Sequence, residues 1–276
     1  MASPQAVQES QPFANVVEGL GKLKVAAALQ VFIAMLIAIS ALLLLALLPF
    51  STIRTSEAVA GLACFATTVV FTIVTAFAYL LPSAKCFAMW KPRDFLAPLI
   101  LMRAGYTGGP LIMLVALLAL IQLVSAPSRW AVAGVEIEFE TILYAYLILL
   151  VIGGVLLFMG YTGSFIHLHK LSEAFNSPQL SKTGVFVAVF GVAFTLLSAA
   201  LLIIDNGIRA AAANPYNYYH AIGVAANVAT APLIIAILTS ILGIAVWMQV
   251  LSEVSSIEKR VEAGVIQGFS SHVGLY

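Results

Sequence analysis

Charged side chains are scarce in this sequence. Only 9% of its 276 residues are Asp, Glu, Lys or Arg, whereas 62% are hydrophobic and the mean hydropathy is +1.06. A soluble domain carries about 25% charged residues, so this chain has too few charges to cover a core with a water-compatible surface. Its apolar runs are long enough to cross a bilayer as helices, which takes about 20 residues. They do not alternate every second residue, which excludes a β-barrel.

Cysteines and catalytic signatures are also scarce. Cys64 and Cys86 form neither a disulfide framework nor a pair at metal-ligand spacing. The net charge is +1, and no long Lys/Arg cluster indicates nucleic acid as a partner. The motifs G-x-S-x-G, H-E-x-x-H and the phosphate-binding Gly-rich loop are absent. We therefore expect a protein that is not an enzyme and that uses no cofactor or metal.

Six long apolar runs predict an all-α integral membrane bundle. The predicted transmembrane domain covers residues 23–251, between a cytoplasmic N-terminal segment (1–22) and a cytoplasmic C-terminal extension (252–276). Its six helices are predicted at 24–49, 57–81, 105–126, 140–167, 183–205 and 221–251. The last would be about 46 Å long against a hydrocarbon core of about 30 Å, so we expect it to protrude from the bilayer.

Lysine and arginine are unevenly distributed across the predicted membrane. Ten fall on one side, and the other side holds three, Arg54, Arg129 and Arg209. Because basic residues collect in cytoplasmic loops, this bias places both termini of a multi-pass cell-membrane protein in the cytoplasm. Charged residues such as Lys182 and Asp205 stand at predicted helix ends. Proton-coupled carriers need a titratable group within the membrane, so this class is disfavoured.

Part of the sequence repeats. The stretch GSFIHLHKLSE (163–173) aligns with GIAVWMQVLSE (243–253), and the same shift places the third predicted helix on the fifth. This pattern indicates tandem helical hairpins inserted in one orientation. The alternative is that apolar sequences align with one another easily and that no duplication occurred.

Two stretches carry a family resemblance. HKLSEAFNSPQLSKTGVFVAVFGVAF (169–194) joins apolar hairpins through a short segment and leads into a Gly-rich helix start, and EGLGKLKVAAALQ (18–30) adds to it. These features resemble a multi-pass membrane protein family of thermophilic archaea that has no assigned function. The resemblance implies a helical membrane fold and no chemistry.

A few polar side chains fall within the predicted spans. They are Gln30, Gln122, Asn227 and Thr230, and Pro232 follows shortly after. A proline inside a helix leaves the carbonyl four residues before it without a donor, so this part of the sixth span is the strongest candidate for a small polar site. Two interpretations remain: these side chains line a polar path, or they bond to neighbouring helices.

Small residues recur at the spacing that lets membrane helices approach closely. Gly184, Ala188 and Gly191 form a stripe in the fifth predicted helix, and Gly160 and Ser164 form a pair in the fourth. Such stripes fit packing within the chain or docking on another subunit.

Histidines and aromatic residues mark the predicted membrane boundaries. His167 and His169 are about 200° apart on a helix, so they cannot bind one ion from the same side, and we interpret them as interface anchors. The segment 83–103 is expected to lie as a loop in the interface, with its aromatic rings at headgroup depth. The other predicted anchors are Trp90, Tyr218, Tyr219 and Trp247.

Two classes of function remain. The first is a non-catalytic accessory or structural subunit of a larger membrane complex, favoured by the apolar helices, the small-residue stripes and the short loops. The second is a small-solute transporter or channel built from repeated hairpins. The expected partners are membrane lipids, and other integral membrane subunits or further copies of the chain.

Overall fold

The computed structural model consists of helices joined by short turns over the residues that it describes, 4–47, 55–125, 136–213 and 218–263. Side chains are described over 14–46, 59–122, 143–207 and 223–263. The elements are α1 (Pro4–Leu47), α2 (Thr55–Thr75), a π-helical turn (Ala76–Leu80), α3 (Leu81–Trp90), α4 (Pro92–Ser125), α5 (Glu136–Phe175), α6 (Pro178–Ala213) and α7 (Tyr218–Glu262).

Six helical stretches are long and apolar enough to cross a membrane, with α2, the π turn and α3 together providing one of them (Val59–Trp90). This confirms the predicted class, a multi-pass α-helical membrane protein. The stretches are 30 to 40 residues long, although a bilayer requires only about 20. Much of the excess lies at the end of the bundle that carries Lys24, Lys170, Lys182 and Lys259, called the basic end below.

The expectation of a loop over 83–103 is wrong. Helix α3 continues to Trp90, α4 begins at Pro92, and Lys91 alone separates them in an extended conformation (φ −131°, ψ 82°). Proline favours the first turn of a helix and pushes the residue before it out of the helical region. The basic and aromatic residues of this segment therefore lie on two helices.

The π turn ends at Leu80, two residues before Pro82. In a regular α-helix, the ring of this proline would collide with the carbonyl of Ala78, and that carbonyl would lose its amide donor. A π turn shifts the hydrogen bonds by one residue, which lets the chain pass the proline without breaking the helix. One membrane crossing is thereby built from three consecutive helical pieces.

The helix ends at the basic end share a core, and we call this region the basic cap (residues 14–24, 83–103, 167–183 and 249–262). Its buried side chains recur every three or four residues, the spacing of one helix face. They include Val16, Leu20, Leu23, Phe87, Phe95, Phe175, Val254, Ile257 and Val261. Helix α1 begins at Pro4 rather than at residue 24, and Val16, Leu20 and Leu23 give the stretch just before the predicted start a face to bury.

Helix α7 continues to Glu262, well past the predicted end at residue 251, and its last turns pack against other helices. Lys24 of α1 forms an ion pair with Glu258 of α7. Ser177, in the turn between α5 and α6, donates a hydrogen bond to Glu253 of α7 (2.9 Å). That turn is short because Asn176 adopts a positive φ of 50°, a conformation that asparagine tolerates better than most residues.

The helices form a closed ring in the order α1, α2–α3, α4, α5, α6, α7 and back to α1. The tightest contact is between α4 and α5, where glycines let the backbones touch. A Cβ atom on Gly105 would lie 2.1 Å from the amide nitrogen of Gly160, and one on Gly109 would lie 2.7 Å from that of Leu157. Consecutive helices are therefore neighbours all around the ring.

The predicted small-residue stripes face helices of the same chain. Gly160 lies against Tyr106 of α4, and Gly191 lies against Tyr161 of α5. Gly184 faces α5 as well, while Ala188 is half-buried and Ser164 is buried. Packing within the chain thus accounts for the glycines of both stripes.

Candidate functional site

Five buried polar side chains lie at about one height inside the bundle: Gln30 (α1), Thr75 (α2), Tyr106 (α4), and Tyr161 and Ser164 (α5). We call them the polar layer. Each is at most 2% exposed to solvent. A contact between the rings of Phe32 and Phe71 (5.0 Å) sets α1 against α2, which places Thr75 near the height of Gln30.

Hydrogen bonds connect the polar layer across the ring. The Tyr161 hydroxyl donates to Gln30 Oε1 (2.9 Å), which joins α5 to α1. The hydroxyls of Tyr106 and Ser164 share a hydrogen bond of 2.9 Å between α4 and α5. Ser164 also donates to the carbonyl of Gly160 (3.3 Å). These bonds lie in a membrane-embedded interior, where water does not compete with them.

Two atoms of the polar layer lack a hydrogen-bond partner among the described residues. They are the amide nitrogen Nε2 of Gln30 and the hydroxyl Oγ1 of Thr75. A buried polar group without a partner costs about 1–3 kcal/mol. Thr75 is the last residue before the π turn, and π turns within helices are frequent at functional sites. The amide and the hydroxyl are able to hydrogen-bond a small neutral solute or a water molecule.

Aromatic rings fill the centre of the bundle beside the polar layer. Tyr161 contacts Tyr106 (5.4 Å between ring centroids), Phe190 (5.3 Å) and Phe194 (6.0 Å). Phe194 of α6 also contacts Phe65 of α2 (6.4 Å). Rings from α2, α4, α5 and α6 therefore form one connected, buried cluster inside the bundle beside the polar layer.

Most of the predicted polar residues lie outside the layer. Asn227 is exposed on the surface of α7, and Gln122 is exposed near the end of α4. Thr230 donates to the carbonyl of Ala226 in its own helix (2.7 Å), and α7 continues through the half-buried Pro232. Gln30 alone belongs to the polar layer.

Two of the predicted interface anchors are buried inside the protein, which corrects the expectation that they face the interface. His167 is 2% exposed, with its ring edge-on to Phe87 (5.4 Å) and Phe95 (5.3 Å). Trp247 is fully buried on α7. The reason is the basic cap, which extends helix packing past the predicted boundary. Neither ring nitrogen of His167 has a partner among the described residues, and the same holds for Trp247 Nε1.

The remaining anchors are partly exposed or lie outside the described side chains. The Nδ1 atom of His169 hydrogen-bonds with the Ser181 hydroxyl (2.8 Å). Trp90 is half-buried and stacks on Phe175 (5.6 Å). Tyr218 and Tyr219 begin α7, but their side chains are not among those described.

The fold and the polar layer together define a class, a polytopic α-helical membrane protein with a closed aromatic centre. The polar layer contains no carboxylate, lysine or histidine. Across the described residues, His, Cys, Asp and Glu form no group of three that could hold a metal ion. Comparison with known proteins finds no matching protein family, no matching curated protein and no matching solved structure.

The bond between Tyr161 and Gln30 can be tested by a double-mutant cycle. We expect Tyr161→Phe and Gln30→Met each to lower thermal stability in detergent, and the pair to show a coupling energy of about 0.6–1.7 kcal/mol, the range for hydrogen bonds between membrane helices. Tyr106→Phe combined with Gln30→Met is the matched control, because Tyr106 bonds Ser164 instead. Equal coupling in the two cycles would contradict the assigned bond.

Proposed function

We propose that this protein is a non-catalytic integral subunit that supports a larger membrane complex. The observation that carries the proposal is the closed centre, where Phe65, Tyr106, Tyr161, Phe190 and Phe194 pack together. A bundle that is filled with rings at its axis serves as a rigid scaffold and offers no pathway for a solute. Among the described residues, Gln30 Nε2 and Thr75 Oγ1 are the fully buried amide and hydroxyl atoms that lack a hydrogen-bond partner.

The outer surface of the bundle supports the same proposal. Large apolar side chains are exposed along the helices, among them Met35, Leu42, Val115, Leu118, Leu238 and Ile241. In a membrane, lipid tails or the helices of other subunits cover such a surface. The proposal includes the orientation given by the positive-inside bias, with both termini in the cytoplasm and the basic end facing it. It also includes tandem hairpins, which the closed ring of consecutive neighbours accommodates.

A second candidate function is a small-solute transporter, favoured by the two unpartnered atoms of the polar layer. Thr75 Oγ1 directly precedes the π turn, and Gln30 Nε2 belongs to the neighbouring helix α1; both atoms are buried without a partner among the described residues. In this alternative, the rings around Tyr161 would have to separate to admit a solute.

Purification of the tagged protein from its native membrane in mild detergent separates the two candidates. We expect other integral membrane proteins to co-purify in a fixed ratio, as shown by mass spectrometry and by size-exclusion chromatography with light scattering. A homogeneous assembly of this chain alone would contradict the subunit proposal. Solute flux in vesicles that is lost in Gln30→Met would then support the transporter.

A further inference from the structure

One face of α4 at the basic end combines basic and apolar side chains, all exposed. Arg93, Leu96, Ile100 and Arg103 follow one another at intervals of three or four residues, so they share a face of the helix. Leu96 is 52% exposed and Ile100 is 58% exposed. The opposite face is buried, with Phe95 fully enclosed in the basic cap. We call the exposed set the α4 stripe.

The two arginines of the α4 stripe have no charged partner in the described part of the protein. Neither side chain forms an ion pair or a hydrogen bond with any described residue. Lys91 adds a third positive charge next to the stripe, and its ammonium group lies over the ring of Trp90, 4.5 Å from the centroid. Asp94 is the single carboxylate on this part of α4. With three cations against this one carboxylate, the surface keeps a net positive charge.

The position of the stripe along α4 matches the polar zone of a bilayer. On the far side of Arg103 and ahead of Gln122 near the helix end, the large exposed side chains of α4 are the apolar Leu111, Val115 and Leu118, which fit the hydrocarbon. Arg93 lies about 15 Å from Arg103 along the helix axis. Helical side chains lean toward the helix N-terminus, which for α4 is the basic end, so Arg103 extends past Ile100 toward the headgroups.

We propose that the α4 stripe binds an anionic phospholipid. The guanidinium group of Arg103 holds the lipid phosphate, as arginine does through paired N–H donors, and Arg93, farther out on the same face, adds positive charge that favours an anionic headgroup. Leu96 and Ile100 lie along the lipid between the two arginines, and the acyl chains continue past Arg103 over Leu111 and Val115. The observation that selects a lipid is the apolar pair enclosed between two arginines at headgroup depth, because a lipid presents both chemistries there. This inference is independent of the proposed function.

The test measures lipid retention by the intact protein. After purification in detergent that contains equal amounts of phosphatidylglycerol and phosphatidylcholine, we expect native mass spectrometry to show preferential retention of phosphatidylglycerol. In the double variant Arg93→Gln/Arg103→Gln, this preference should fall about 25-fold, given roughly 1 kcal/mol per basic residue near an anionic surface. The control is Lys182→Gln/Lys259→Gln, which removes two exposed charges elsewhere at the basic end and should keep the preference.

A second measurement identifies what covers the stripe. With a photo-reactive leucine analogue at position 96, irradiation of native membranes should cross-link the chain to lipid. A cross-link to another protein would overturn the proposal and assign the stripe to a subunit interface. An equal loss of preference in the stripe variant and in the control variant would also overturn it, because retention would then follow total charge.

Discussion

Alanine in place of Gly105 is expected to lower the stability of the protein by about 3 kcal/mol, the upper end for overpacking. The added Cβ would lie 2.1 Å from the amide nitrogen and 2.4 Å from the Cα of Gly160, and 2.7 Å from the carbonyl oxygen of Leu156. All three atoms belong to the backbone of α5, so no side-chain rotation relieves the contact. The two helices must move apart, which also strains the bond between Tyr106 and Ser164.

Gly108→Ala is the matched control for this prediction. It lies on the same helix, and its Cβ would meet only the end of the Leu156 side chain at 3.6 Å. Because alanine is favoured over glycine in a helix by about 1 kcal/mol, stability should be equal or higher. The measurement is the temperature of aggregation in detergent, followed by size-exclusion chromatography. Equal losses in the two variants would contradict the close approach of α4 and α5.

The number of membrane crossings could be predicted from the sequence, whereas the ends of the helices could not. Hydropathy reports which segments fit lipid, and six runs do so. Hydropathy does not show how far a helix continues past its apolar run, because polar and apolar residues alternate there. Val16 and Leu20 lie in such a stretch, and their burial depends on α7, more than two hundred residues away in the chain. The basic cap therefore depends on contacts between helices that are far apart in the sequence.

The polar layer was partly visible in the sequence. An amide inside an apolar run identifies Gln30, because its burial in lipid requires a partner. Tyr106 and Tyr161 were missed, since tyrosine in a membrane sequence fits the interface as well as the interior. Their roles depend on partners 58 and 131 positions away along the chain, and these pairings follow from helix register. A proline suggested a polar site on α7, but Thr230 bonds its own helix there.

His167, in the basic cap, is a buried histidine without a hydrogen-bond partner among the described residues. His167 lies among Phe87 and Phe95 with both ring nitrogens buried and unpartnered. Sequence reasoning treated it together with His169, although the two differ in surroundings. His169 is 43% exposed and lies within 3.4 Å of Glu173. A histidine in an aromatic cluster costs stability, which raises the question of what is gained by keeping it.

Phenylalanine at position 167 is expected to stabilise the protein by about 1–3 kcal/mol, because it removes buried polar atoms that have no partner and keeps an aromatic ring edge-on to Phe87. His169→Phe is the control: it removes the bond to Ser181 and should give no gain. Thermal unfolding of both variants in one detergent measures the difference, and a loss of stability in His167→Phe would show that the imidazole has a partner. Under the proposed subunit function, a stabilised variant that no longer co-purifies with other membrane proteins would identify His167 as functional, since its stability cost would then be balanced by assembly at the basic cap.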